Sequence, residues 1–428
     1  MLNQEIQKGP YVRISPDEIS VADLTSVKTI YRAGSTFRKA DWYQKFNESP
    51  YPGIFSMIDA KAHATRRRLF AQSFSKSSLT KFEPQIRVKV QTAIFKIHRD
   101  IQRARADVLK WFTFMATDVI GELSFGESFN MLEQETKTPY IRDLETAMMI
   151  SGVGAELGPL LKIAKWLPSR SVQDSLAITK RLDQYGLMAI ANLKKHVTTA
   201  GDKGPGSLFT RFLDPAKNQE LSLPEISVEA SNLIVAGSDT TAVSLTYLIW
   251  SLHRLQHRHI KQKLLEEFAE VPIDAPLAVL DQLPYLHAVI NESLRLYGAA
   301  PGSLPRVTPK GGFKLGGHYI PEDTIVSTQA YTMHRDESIF KDADRFIPER
   351  WENPTEAMKD AFFPFGLGSR VCIGLHLATS ELQLGTFLFL KNCPTATLAE
   401  STTNESMEIE NYFLIAPKSH RCELQEAK

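Results

Sequence analysis

The chain has 428 residues and only three cysteines, and one of them, Cys372, sits in the glycine-rich stretch FGLGSRVCIG, residues 365–374. A thiolate is a nucleophile or a soft metal ligand, and its pKa falls at the start of a helix. The continuation CIGLHLATSELQLGTFLFL reads as a helix over about 374–391, so Cys372 stands where backbone N–H groups favour negative charge. Gly366, Gly368 and Gly374 allow backbone shapes that other residues resist, and they let a flat object approach closely. Phe365 can shield one side of such an object, and Arg370 can meet an anionic group on it. Three readings fit the residues alone: an inert core thiol, a catalytic cysteine served by one of the eleven histidines, or a metal ligand.

Further stretches have chemistry in their spacing. In AGSDTT, 236–241, Gly237 weakens a helix by about 1 kcal/mol relative to alanine. Thr240 and Thr241 can return hydrogen bonds to the carbonyls of Ala236 and Gly237, which predicts a kink or groove. Asp239 is a charge in an apolar run, costly unless used; the plain alternative is a bent core helix with one solvated carboxylate. ESLR puts Glu292 and Arg295 on one helix face. Surface pairs of this kind are worth little, but LPYLHAVINESLRLYG is apolar around this one. A buried pair needs further hydrogen bonds to offset desolvation. HATRRRLF, 63–70, places His63 and Arg67 four residues apart, either as part of a solvated basic face or as a matched pair of donors.

The pattern F-x-x-G-x-R-x-C-x-G, carried by Phe365, Gly368, Arg370, Cys372 and Gly374, resembles at every defined position the haem-binding loop of the cytochrome P450 family. The resemblance implies that Cys372 is the thiolate ligand of the iron of haem b. AGSDTT is similar to the family's oxygen-activation motif, which implies a proton-delivering pair in Asp239 and Thr240. The E-x-x-R pair, with Arg350 of FIPERW as third partner, implies a structural network that holds the cysteine loop. His63 and Arg67 match the family's donors to a haem propionate, Arg370 is the arginine of the loop motif, and Arg306 in LPRVT sits where another donor is often placed. Arg66 and Arg68 then face elsewhere, as part of a basic surface suited to an acidic electron-transfer partner.

The resemblance extends from the hairpin near Tyr11 to the final strands. It implies a haem-thiolate monooxygenase that inserts one oxygen atom from O2 into a small apolar organic substrate, with electrons from an NADPH-cytochrome P450 reductase. Fungal secondary metabolism is the expected setting, and a terpenoid, polyketide or fatty-acid derivative the expected substrate. The segments that would frame it are the loop before His63, the region 140–200, Leu233–Ala236, Ala299–Leu304 and the turn Tyr412–Leu414. Non-hydroxylating chemistry such as desaturation or rearrangement is the alternative, and a non-catalytic haem-binding remnant another. An intact Asp239–Thr240 pair favours the monooxygenase. A helical scaffold with an inert Cys372 would have to explain every motif as accident.

These residues need long helices and a few strands to position them. Tyr11–Ser15 and Glu18–Asp23 read as a hairpin around Pro16 and Asp17. Helical periodicity covers roughly 22–32, 60–72, 79–103, 107–123, 138–152, 171–197, 222–253, 255–270 and 284–297, and 198–207 is a surface loop by composition. The helix at 222–253 opens with a capping box, Ser222 and Glu225, and is apolar on nearly every side from Leu233 to Leu252. Short strands follow between about 303 and 360 and after 395. The expected fold is mainly α with a small β part, one haem domain over residues 1–428.

A net charge of +1 removes bulk electrostatics as a route to nucleic acid. Three cysteines without a C-x-x-C pair make a disulfide framework or a zinc knuckle a poor reading. The longest promising uncharged run, TTAVSLTYLIWSL, is shorter than a bilayer span. Eukaryotic members of the family usually begin with an apolar anchor, and this chain starts almost at the first hairpin. A soluble cytoplasmic protein is therefore expected from the chain as written, and the cytosolic face of the endoplasmic reticulum if a longer anchored form exists.

Overall fold

A computed structural model describes residues 9–46, 50–144, 207–209 and 221–427, with Thr146, Ile178, Arg181, Gln184 and Tyr185. Nearly all of the expected helix at 171–197, of the later part of that at 138–152 and of the loop 198–207 lies outside the described residues. Among the described residues there are eight longer helices: α1 Leu24–Tyr31, α2 Ala60–Ala71, α3 Glu83–Arg103, α4 Val108–Phe125, α5 Leu223–His253, α6 Arg258–Phe268, α7 Pro284–Tyr297 and α8 Leu375–Asn392. Each falls on a stretch with helical periodicity. The longest runs for 31 residues and opens on the expected cap, with the Ser222 N–H donating to Glu225 Oε2 at 2.8 Å. Every residue from Thr241 to Leu252 is buried. By length and composition α5 could cross a membrane, but 67% of its most apolar window is buried inside the protein, which is the burial of a core helix.

The helix runs unbroken past Gly237. A Cβ at Gly237 would stand 3.0 Å from the Ile120 side chain of α4. The glycine therefore serves close helix packing, and the helix continues past it.

The residues form two compact units, and the division falls inside α3, α4 and α5. The first unit holds 1–40, 94–109 and 243–428. It contains a five-stranded sheet from β1 Tyr11–Ser15, β2 Glu18–Val21, β3 Arg38–Lys39, β4 Arg306–Val307 and β5 Ile325–Ser327, in the order β1-β2-β5-β4-β3. β1 and β2 are the predicted hairpin, and β2 pairs in parallel with β5, Ile19 opposite Val326. Ile19, Val21, Val27, Ile30, Val326, Met333, Phe340 and Phe363 share one apolar core. The strands expected after 395 are Ala396–Leu398, Ile409–Tyr412, Leu414–Pro417 and Glu423–Glu426. The described residues of the second unit, 41–93 and 110–242, are mainly helical around Phe70, Phe125 and Phe209. There Asp118, wholly buried, accepts the backbone N–H groups of Met131 and Leu132, both at 3.0 Å. The described chain is mainly α with a small β part.

Candidate functional site

In the first unit Cys372 closes a tight loop just before α8 and is exposed. Its N–H donates to the Phe365 carbonyl at 2.8 Å, and the Val371 N–H to that of Gly368 at 3.2 Å. The loop needs its glycines. Gly366 and Gly368 have φ of +77° and +60°, a region costly for residues with a Cβ. At Gly368 a Cβ would stand 1.9 Å from the Tyr31 carbonyl oxygen, so any side chain there would displace backbone. Cys393 and Cys422 are buried, and burial raises both thiols, Cys393 to about 12. They are inert core thiols; Cys372 stands in a different environment.

The Glu292–Arg295 pair lies on α7 with neither side chain exposed. Arg295 grips the carboxylate with two bonds of 2.9 and 2.8 Å. Glu292 also accepts from Arg350 Nε at 3.1 Å, Trp351 Nε1 at 3.0 Å and the Ile347 N–H at 2.8 Å. Arg295 donates onward to the carbonyls of His334, Ala343 and Arg345. These are the extra bonds a buried ion pair requires.

His334, which the sequence reading missed, extends the network to the cysteine loop. Its Nδ1 lies 2.9 Å from the Arg295 carbonyl, and its Nε2 accepts the Phe363 N–H at 3.0 Å, two residues before Phe365. Both contacts require the neutral ring protonated on Nδ1. Burial keeps it neutral, with its pKa pushed down to about 3. Nothing in YTMHRDES announced this: a histidine beside an arginine and an aspartate reads as surface until its neighbours are known.

The same unit gathers three cations. Arg306 on β4 is opposite Lys39 on β3, and its guanidinium lies over the Tyr31 ring, 5.3 Å from the centroid. Arg306 Nε is buried without a hydrogen-bond partner. Lys39 is 5% exposed. Burial first, then the charges of Arg370 and Arg306, hold its pKa well below the ordinary lysine value. Arg306 and Arg370, both expected as donors, are thus close in charge terms. Lys39 was not expected at all.

Two of the expected substrate segments also meet here. The Ile415 N–H donates to the Ala299 carbonyl at 2.9 Å, which ties 299–304 to the hairpin Ile409–Pro417. At the hairpin tip Phe413 has φ of +90°, an outlier for a bulky residue. Strain of this kind persists where the surroundings impose it, often beside ligands.

In the second unit His63 and Arg67 are one turn apart on α2, His63 buried and Arg67 half-buried. Arg66 corrects the expectation of a basic surface. It is buried and bonds Glu229 at 2.9 Å and Glu225 at 2.5 Å, while Glu229 also accepts the Ile54 N–H. Arg66 joins the loop before α2 to α5, and only Arg68 of the two is exposed. On α5, Thr240 Oγ1 donates to the Ala236 carbonyl at 2.6 Å, as its spacing predicts. Asp239 is half-buried one residue earlier. The remaining expected segment, 140–200, lies almost wholly outside the described residues.

The donor set of the first unit fits haem b on its own terms. An accessible thiol in a glycine-built loop suits a single sulfur ligand, and a buried guanidinium with an unsatisfied N–H suits a carboxylate. Among the described residues no group of three or more histidine, cysteine, aspartate or glutamate side chains could hold a bare metal ion.

The family model described as Cytochrome P450 matches residues 4–424. The chain is 41% identical to the cytochrome P450 monooxygenase tazI of Aspergillus terreus, over 97% of this chain and 85% of that protein. It is 36% identical to the cytochrome P450 monooxygenase stcB of Emericella nidulans, over 97% and 80%. It is 37% identical to the cytochrome P450 monooxygenase aflV of Aspergillus parasiticus, over 97% and 84%. The chain belongs to the cytochrome P450 family and is one of its haem b-binding monooxygenases.

Proposed function

We propose that the two units act as one haem domain that oxidises a small apolar organic molecule in fungal secondary metabolism, with an NADPH-cytochrome P450 reductase as electron donor. The observation that carries the site assignment is the Cys372 loop, the protein's one accessible thiol in a backbone that only glycines permit. Relatives from Aspergillus and Emericella support the metabolic setting. Haem b, when bound, supplies the redox chemistry of O2 activation and oxygen-atom transfer.

The chain's own residues do the rest. Cys372 Sγ would bind the haem iron, and the bond from its own N–H to the Phe365 carbonyl fixes the loop that presents it. Arg306, Arg370, His63 and Arg67 would hold the haem carboxylates. Glu292, Arg295, Arg350 and His334 keep the loop in place. Asp239 and the Thr240 hydroxyl hold and pass protons during oxygen activation, and Phe413 with the 299–304 segment touches substrate. That support is a family motif met in full, joined to local geometry in each unit. The intact Asp239–Thr240 pair speaks against chemistry that needs no dioxygen.

The test is the carbon-monoxide difference spectrum of the reduced protein. A strongly red-shifted thiolate-type Soret band is expected in wild type, and Cys372→Ser should abolish it while any residual haem shows a different band. A wild-type spectrum of the histidine or neutral-thiol type removes the assignment.

A further inference from the structure

Glu229 is a carboxylate in a costly place. It lies in the second turn of α5, 2% exposed, and burial raises its pKa against the pull of the Ile54 N–H and Arg66. A buried charge persists where partners compensate for its lost hydration. Both of its oxygens accept the Ile54 N–H, at 3.0 and 3.1 Å, and Oε1 also accepts from Arg66 Nη1 at 2.9 Å. Arg66 Nη2 donates to Glu225 Oε1 at 2.5 Å, and Glu225 Oε2 accepts the Ser222 N–H at 2.8 Å. Within the second unit, Glu229 therefore ties the loop before α2, and α2 itself, to the capped start of α5.

The loop that Glu229 holds is a turn closed on itself. The Gly53 carbonyl accepts the N–H groups of Ser56 and Met57, both at 3.0 Å, and the Gly53 N–H donates to Ser56 Oγ at 3.1 Å. A turn bonded in this way keeps its shape when it moves. A Cβ at Gly53 would stand 2.2 Å from Asn232 Nδ2 and 3.3 Å from Glu229 Oε2, so the turn lies directly against α5. Tyr51 and Phe55 in the same loop are 39% and 40% exposed, so part of its apolar surface stays outside the core. Beside the turn opens a cavity of about 430 Å³, with Met57, Ala62, Arg66, Leu69 and Leu221 in its wall. The turn has room on that side once the carboxylate releases it.

We propose that Glu229 is a latch: its bonds to the Ile54 N–H and to Arg66 hold the loop before α2 closed, and their release admits a bulky apolar substrate. Glu229 is thus a positioning residue that acts through the loop. A loop that closes over substrate must open to admit it, and the strength of its fastening sets how often it does. The proposal rests on the haem-thiolate reading above and on that loop as one of the segments that frame substrate.

The experiment follows, by stopped-flow absorbance, the binding of two azoles to the ferric holoprotein: imidazole, and the bulky apolar 1-tritylimidazole. Wild type, Glu229→Gln and Ile54→Pro are compared. The proline removes the N–H donor and leaves Arg66 with both carboxylates. Tritylimidazole should associate about tenfold faster with Ile54→Pro, the loss of one charge-assisted hydrogen bond, and at least about threefold faster with Glu229→Gln, whose amide accepts without charge. Imidazole is small enough to pass the closed loop, so its rate should not change. Unchanged tritylimidazole rates in both variants overturn the proposal, and so does an equal gain for both azoles, which marks a general loosening. If Glu229→Gln holds no haem, Ile54→Pro decides alone; if neither holds haem, Glu229 serves the fold and the proposal fails. A wild-type protein without the thiolate-type band fails the parent reading instead, and this proposal falls with it.

Discussion

Thr240 is bound to its own helix, and the proton role proposed for it requires its hydroxyl to turn away. Its hydroxyl donates to the Ala236 carbonyl at 2.6 Å, a local bond that competes with the helix's own ladder. Turning the hydroxyl breaks one hydrogen bond of modest net worth, about 1 kcal/mol. Thr240→Ala should therefore leave folding and haem content nearly unchanged and divert reducing equivalents to hydrogen peroxide. Peroxide yield per NADPH consumed is the measurement, and unchanged coupling would withdraw the proton role. Cys372, Asp239, Thr240, Glu292 and Arg295 were singled out by the sequence because each sits in a dense local pattern. Lys39 was not, because RKADWY reads as solvated charge. Arg66 was misread for the same reason: the carboxylates it bonds, Glu225 and Glu229, are about 160 positions away in sequence.

At the scale of elements, α7 and the segments packed on it act as a clamp. Glu292 accepts from Arg295, Arg350, Trp351 and the Ile347 N–H, and is inaccessible to water. Removing one charge from such a network leaves the others uncompensated. Glu292→Gln preserves shape and should cost about 3–5 kcal/mol, with haem incorporation lost in proportion. Chemical denaturation of the variant checks this, and a change under about 1 kcal/mol would show that the network is not the clamp. The E-x-x-R spacing announced the pair. It could not announce His334, which joins the clamp to Phe363 only because the chain folds 334 between α7 and the cysteine loop.

The same histidine sets how the whole molecule responds to acid. His334 and His253 are both buried, with pKa values pushed down to about 3 from 6.5 by burial. Burial first and then the Lys261 charge hold His253 neutral, against the pull of the Ile249 carbonyl, and burial holds His334 neutral, against that of the Arg295 carbonyl. In the unfolded chain both rings take up protons as pH falls below about 6.5, whereas in the folded chain they stay neutral until about 3. Their contribution is therefore complete above that range and is lost as pH drops through it, by up to about tenfold in the unfolding equilibrium per pH unit for each ring. Urea unfolding at pH 7.5, 6, 5 and 4 should show stability falling with acidity, and His334→Gln should flatten the curve. A profile level from pH 7.5 to 4 would mean that these rings are not buried as described.

Local order was enough to identify the helices, the cap on α5, the cysteine loop and the family, because periodicity, capping and motif spacing are carried by neighbouring residues. Other features are set by residues far apart in sequence. The parallel pairing of β2 with β5 joins positions about 300 apart, and the register of β3 on β4 puts Lys39 opposite Arg306. Gly237 was read as a weak point in a helix and proved to be a packing contact, since its meaning depends on Ile120 of α4. Burial and long-range pairing decide which charges are surface and which are site, and they exist only once the chain has folded.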